Sequence, residues 1–296
     1  MKRVCKRKVQ IDALTACYEM REPCLFEQLS ELDYGERYDV CEFWVVRTKA
    51  RYFNYAFSIE FDNGKGDIVF GTLKYDIAGG NEASNKFPNG RRKAWISLDN
   101  AALYGDDIHY LTYIEQMLRL DFHNTTCLDL CLDTPFDIAR LVKSYLHNRD
   151  VTTLLNGKRI KDRDADREEI TYTYSGSLNR QNKHLTVNVK QKNAIRDKTK
   201  GVTVAMYDKA AEICNSSGKQ YIMEYYGNPK SLHRTEVHLN NEDVNAYLKR
   251  TGTDSTPLLY TDDAALEDMF FYFIGSVIRF QSSSADVGWR HILGRA

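Results

Sequence analysis

The run Val202-Thr-Val-Ala-Met-Tyr207-Asp208-Lys209-Ala-Ala-Glu212 ends by placing a phenol next to an ammonium and two carboxylates. Tyrosine has an ordinary pKa of about 10, so it becomes a nucleophile only with a base or a cation at hand. Tyr207 has candidates for both. Two further stretches carry chemistry: Leu128-Asp129-Leu-Cys131-Leu-Asp133 and Leu232-His-Arg234-Thr-Glu236-Val-His238-Leu239. Burying carboxylates in a sheet costs several kcal/mol each, on the order of 2–5, unless they are paired or bound to metal. A pair of carboxylates with open water positions suits Mg²⁺ or Mn²⁺.

Side chains alternate across a strand, and that alternation positions these groups. Val202, Val204 and Met206 share one face of the first run, which leaves Thr203, Ala205 and Tyr207 on the other. Asp129, Cys131 and Asp133 oppose the leucines of the second run, and Arg234, Glu236 and His238 oppose Thr235, Val237 and Leu239 in the third. Residues i and i+4 of a straight strand lie about 13 Å apart, so Asp129 and Asp133 share one ion only if the strand bends or ends between them. If the two acidic strands pair, Glu236 meets one of the aspartates. The plainer readings are an Asp-capped strand-to-helix junction at Tyr207, an Arg–acid ladder on the sheet and a structural His238.

Around these runs the pattern is α+β. Phe53 to Phe61 alternates as a strand, Asp62 to Gly66 is a turn and Ile68 to Tyr75 returns, giving a hairpin. Val40 to Val46 and Ala94 to Leu98 add strands. Ile108, Leu111, Ile114 and Leu118 recur at helical spacing and predict a helix over 107–120. The acidic strand follows over 126–133, then a helix over 136–147. Residues 149–169 are densely charged and read as an exposed connection. Strands are expected at 170–174, 185–189 and 232–239, with helices at 208–214, 241–249 and 262–280. The fold class is therefore α+β: antiparallel sheets with helices packed on one face, in two sheet–helix layers. The organisation reads as 1–105, a mostly antiparallel β region; 106–250, a catalytic α+β region; and 251–296, a helical region.

The 296 residues hold forty-one basic and forty-one acidic side chains, so no global field recruits a polyanion and nucleic-acid contacts must come from local patches. Arg91, Arg92 and Lys93 form one such patch. Lys190, Lys192, Arg196, Lys198 and Lys200 form another, immediately before the Tyr207 strand. Lys158 to Arg163 is a third charged run. Cysteines at 5, 17, 24, 41, 127, 131 and 214 are odd in number and show no CxxC pair, which points to reduced thiols in a cytoplasm. The basic N-terminus is not followed by the apolar segment of a signal peptide, and the longest apolar run, Met269 to Ile278, is too short to cross a bilayer.

The order of a Leu-Asp-Leu-x-Leu-Asp strand, a β-run ending in Tyr-Asp-Lys-x-x-Glu and an Arg-x-Glu-x-x-Leu strand resembles the rolling-circle replication initiation factor family. That family includes staphylococcal plasmid initiators, filamentous phage replication proteins and nickases of conjugative elements. The resemblance covers roughly residues 100 to 250. It implies a replication initiator or relaxase that nicks one strand of origin DNA and stays joined to the 5′ phosphate. By position, Tyr207 would be the nucleophile; Asp129, Asp133 and Glu236 the metal-site acids; and Lys209, Glu212 and Arg234 neighbours that orient groups or stabilise charge. The implied cofactor is Mg²⁺ or Mn²⁺, and the implied partners are single-stranded or hairpin origin DNA, a helicase and a second copy of the chain, with no membrane. Two departures stand out: the Lys190 to Lys200 loop lacks the Gly-Ser turn common in the family, and no His-x-His metal motif occurs, so acids would replace it. The competing readings are a catalytically idle origin-binding protein and a nuclease whose metal-bound water attacks while Tyr207 merely packs.

Overall fold

A computed structural model describes residues 8–62, 64, 66–105, 107–160, 167–175, 184–197, 201–282 and 286–294. They form an α+β fold whose sheets are antiparallel, as the alternation and turn signals require. The chain divides into two compact units that interleave in sequence. One comprises 12–128 with 248–261, the other 1–11, 129–247 and 262–296. The three segments read from the sequence follow chain order, whereas each unit is assembled from separated stretches.

The 12–128 unit is built on β1 (Gln10–Met20), β2 (Arg37–Val40), β3 (Phe43–Ala50), β4 (Phe53–Asp62), β5 (Asp67–Ile77), β6 (Lys93–Leu98) and the first part of β7 (Leu120–Thr134). Their order is β7-β1-β6-β5-β4-β3-β2. The expected hairpin is β4–β5, in register from Phe53↔Ile77 to Asp62↔Asp67. Gly71 sits where that register shifts; a Cβ there would come within 2.5 Å of the Ser97 carbonyl oxygen on β6, so no larger residue fits. β1 escapes a simple alternation because Gln10, at the strand's start and within the 1–11 segment of the other unit, is buried, its amide donating to the Tyr225 hydroxyl of that same unit at 2.8 Å. The helix expected over 107–120 stops at Met117: Arg119 adopts φ 54°, and β7 starts at Leu120.

One buried acid of this unit has a measurable consequence. Glu115 accepts a hydrogen bond from the Tyr18 hydroxyl at 2.7 Å, and burial pushes its carboxyl up from 4.5 to about 7. Burial, with the Glu115 charge added, holds the Tyr18 phenol well above its ordinary range. The folded state therefore favours protonated Glu115. Its stabilising effect is complete below pH 4.5 and is lost as pH rises through about 7. Glu115→Gln should raise unfolding free energy by about 2 kcal/mol at pH 8 and change it little at pH 4. Urea titrations at the two pH values measure this, and equal effects at both would contradict the assignment.

The other unit contains the rest of β7 and β8 (Thr152–Leu155), β9 (Lys158–Arg159), β10 (Ile170–Ser175), β11 (His184–Lys190), β12 (Thr203–Asp208), β13 (His233–Asn240), β14 (Ile278–Gln281) and β15 (Asp286–Val287). Its main sheet runs β10-β11-β12-β13-β7. Val187, Val189, Val204, Met206, Val237 and Leu239 are wholly buried on one face, against the helices Ile138–His147 and Asp263–Val277. Asp137 and Asp262 cap those helices through backbone N–H groups. A small sheet, β15-β14-β8-β9, occupies part of the 149–169 stretch that its charge marks as an exposed connection. Asn156-Gly157, at φ 49° and 74°, makes the tight turn between β8 and β9. Because two-residue Asn-Gly turns need no hydrophobic pattern around them, high charge did not exclude strands here.

Candidate functional site

The polar face of the β12–β13–β7 sheet gathers the three chemical runs. β12 and β13 pair with Ala205 opposite Glu236 and Tyr207 opposite Arg234, so Tyr207 and Glu236 are diagonal neighbours on one face. The Tyr207 hydroxyl donates to Glu236 Oε2 at 2.8 Å. On the helical turn that follows, Lys209 is buried, with its ammonium 5.8 Å from the centre of the Tyr207 ring and 2.9 Å from Glu212 Oε2. The turn itself is started by Asp208, whose carboxylate accepts from the Ala211 N–H at 2.9 Å and from His184 Nδ1 at 2.8 Å. The carboxylate thus meets the phenol oxygen while the ammonium lies beside the ring, so a proton acceptor and a cation both stand near Tyr207.

Arg234 is fully buried and grips Asp133 through two bonds, Nε to Oδ1 at 2.8 Å and Nη2 to Oδ2 at 2.6 Å. The buried phenol of Tyr226 also bonds to Asp133, and burial, reinforced by the Asp133 charge, holds it far above its ordinary pKa. Both Asp133 oxygens are therefore engaged within the protein. Its role in this geometry is to neutralise Arg234 and fix the pairing of β7 with β13, and Arg234 itself is remote from solvent. Neither contact was readable from alternation, which gives the face but not the partner.

Asp129 lies opposite His238, its Oδ1 2.5 Å from His238 Nδ1. Together with the Asp133–Arg234 pair, this sets β7 and β13 antiparallel. A carboxylate accepting from Nδ1 fixes the ring tautomer with Nε2 as the ligand-capable nitrogen, the usual arrangement behind a metal-binding histidine. Within this unit Asp129 and His238 are a pair of donors that could hold a divalent ion. Glu236 is one alternation along β13 from His238. His238 is thus the donor that a purely acidic reading passes over; its signal was its place on the polar face of β13 beside Glu236.

The basic residues are dispersed. Arg91 forms ion pairs with Glu19 and Asp121, both at 3.4 Å, while Lys93 donates to the Ala83 carbonyl and lies over the Phe87 ring. Arg92 is exposed beside them, all three in the 12–128 unit. In the other unit Lys190 ends β11 on the polar face opposite Thr203, and Lys192 and Arg196 are exposed on the short helix that follows. Lys198 and Lys200 lie outside the described residues. Among the described residues no helix is long and apolar enough to cross a membrane. The chain matches no protein-family model, and no curated protein matches it in sequence.

Proposed function

We propose that this protein is a tyrosine-dependent, strand-specific DNA nicking and joining enzyme that initiates rolling-circle replication or mobile-element transfer from a single-stranded or hairpin origin. The observation that carries this reading is the 2.8 Å hydrogen bond from Tyr207 to Glu236, with the Lys209 ammonium close behind the ring. Glu236 takes the phenol proton as the phenolate attacks the scissile phosphorus. The bond from phosphorus to the 3′ oxygen breaks, the electron pair leaves on that oxygen, and the 5′ phosphate remains esterified to Tyr207. Lys209 offsets the charge that develops on the phenolate. A divalent ion such as Mg²⁺ or Mn²⁺, held by Asp129, His238 and their neighbours, would polarise the phosphate. The phosphotyrosine retains the energy of the broken bond, so attack by a 3′ hydroxyl rejoins strands.

The resemblance in motif order supports the same chemistry. Incubation with a single-stranded, origin-like oligonucleotide and Mn²⁺ should yield a protein-linked DNA band that Tyr207→Phe abolishes. Normal adduct formation by Tyr207→Phe would refute the assignment. A second reading, DNA binding without catalysis, draws on the engagement of Asp133 by Arg234 and of Asp129 by His238. It expects binding and no cleavage, whereas attack by metal-bound water expects cleavage with no linked band.

A further inference from the structure

A cleft of about 470 Å³ opens beside the small sheet, well removed from Tyr207. Gln191 in its wall bonds Val202, and Tyr207 lies five residues farther along, roughly 17 Å at about 3.3 Å per residue. Among the described residues four cationic side chains, Lys158, Arg159, Arg167 and Lys192, line it against one carboxylate, Glu169. Lys158, Arg159 and Lys192 make no ion pair among the described residues. Such a concentration of positive charge in a concave site favours a phosphate group.

A second feature separates this cleft from a merely basic surface. Asn156, at the turn of the β8–β9 hairpin, contributes an amide whose Nδ2 and Oδ1 are both shielded from solvent and both lack a partner among the described residues. A shielded amide with neither its donor nor its acceptor satisfied costs about 1–3 kcal/mol per group, which a ligand presenting the complementary pair would recover. Nucleobase edges present such a pair, and asparagine reads adenine in this way. Leu155 and Ile160, both buried, supply an apolar wall for a ring.

We infer that this cleft binds one nucleotide, its phosphate among Lys158, Arg159 and Lys192 and its base edge on Asn156. The chemistry is shared by a free mononucleotide and by one nucleotide unit of single-stranded DNA; the second source rests on the proposed nicking function. Calorimetric titration of the full chain with dAMP, with a short oligo(dA) and with inorganic phosphate separates these. Asn156→Gly, tolerated by the backbone because φ is 49°, should weaken binding of the nucleotide ligand by about tenfold or more, as should Lys158→Ala combined with Lys192→Ala. Loss with dAMP identifies a free nucleotide, and loss with the oligonucleotide alone identifies a strand unit. Inorganic phosphate binding as tightly as both, or wild-type affinity in both variants at an unchanged melting temperature, would overturn the inference. A Tyr207–DNA adduct formed alongside unaltered cleft variants sinks the cleft alone, while nucleotide binding without any adduct sinks the nicking function alone.

Discussion

Glu236→Gln should slow formation of the tyrosine–DNA adduct by about 10²–10⁴-fold, the usual contribution of a positioned general base, while leaving folding and DNA affinity close to wild type. Glutamine keeps the length and the acceptor oxygen that the Tyr207 hydroxyl reaches at 2.8 Å, so the phenol stays where it is. What disappears is the charge that draws off its proton. The variant must then rely on phenol that ionises without help, and its rate should climb as pH rises. Single-turnover adduct assays across a range of pH measure both effects. A Gln variant as fast as wild type at neutral pH would remove Glu236 from the chemistry and shift the activating role to Lys209 beside the ring.

Removing Arg234 should be among the most destabilising single changes in the chain, at about 3–5 kcal/mol for Arg234→Ala. The guanidinium is wholly buried and its two bonds are the compensation for burying Asp133. Asp133→Ala should cost a similar amount by stranding the cation and leaving the Tyr226 phenol without its acceptor. The pair itself need not be strongly favourable, since two charges lost from water offset much of their attraction. Replacing both residues together, Arg234→Met with Asp133→Leu, should therefore recover most of the stability lost by either single change. Denaturant unfolding of the three variants tests the coupling. Strictly additive losses would show that Arg234 and Asp133 do not act as a unit.

Period-two patterning carried much of this protein into view. The faces of β7, β12 and β13 follow directly from their leucines and valines, and Tyr207, Glu236 and Asp129 lie on the polar face as alternation requires. The helices expected over 136–147 and 262–280 begin at Ile138 and Asp263, within two residues of the expected starts. Partner choice was not legible. Whether Asp133 would meet a metal or Arg234 depends on the register of two strands about a hundred residues apart, and no local pattern encodes that register. Lys209 gave no sign of burial because a lysine in a first helical turn is ordinarily solvated, and here the adjoining Glu212 makes burial tolerable. β1 was hidden by Gln10 and Asp12, polar residues at its start. The small sheet was hidden by the charge around a turn that needs only asparagine and glycine.

The interleaving of the two units bears on how the chain acquires its structure. Asp133 and Arg234 are separated by 101 residues, and the second of the two helices that cover the apolar backs of β12 and β13 begins only at Asp263. Closing such long loops before any contact repays them slows folding, so this half of the protein should mature late, after the shorter-range hairpins β2–β3 and β4–β5 have formed. During synthesis the apolar face of Val204, Met206 and Val237 has the helix Ile138–His147 against it but is only partly covered until Asp263–Val277 has been made. A nascent chain stalled at Lys249 would leave part of that apolar strand surface exposed and be prone to aggregate, which makes the helix Asp263–Val277 a late-arriving guard against misassociation.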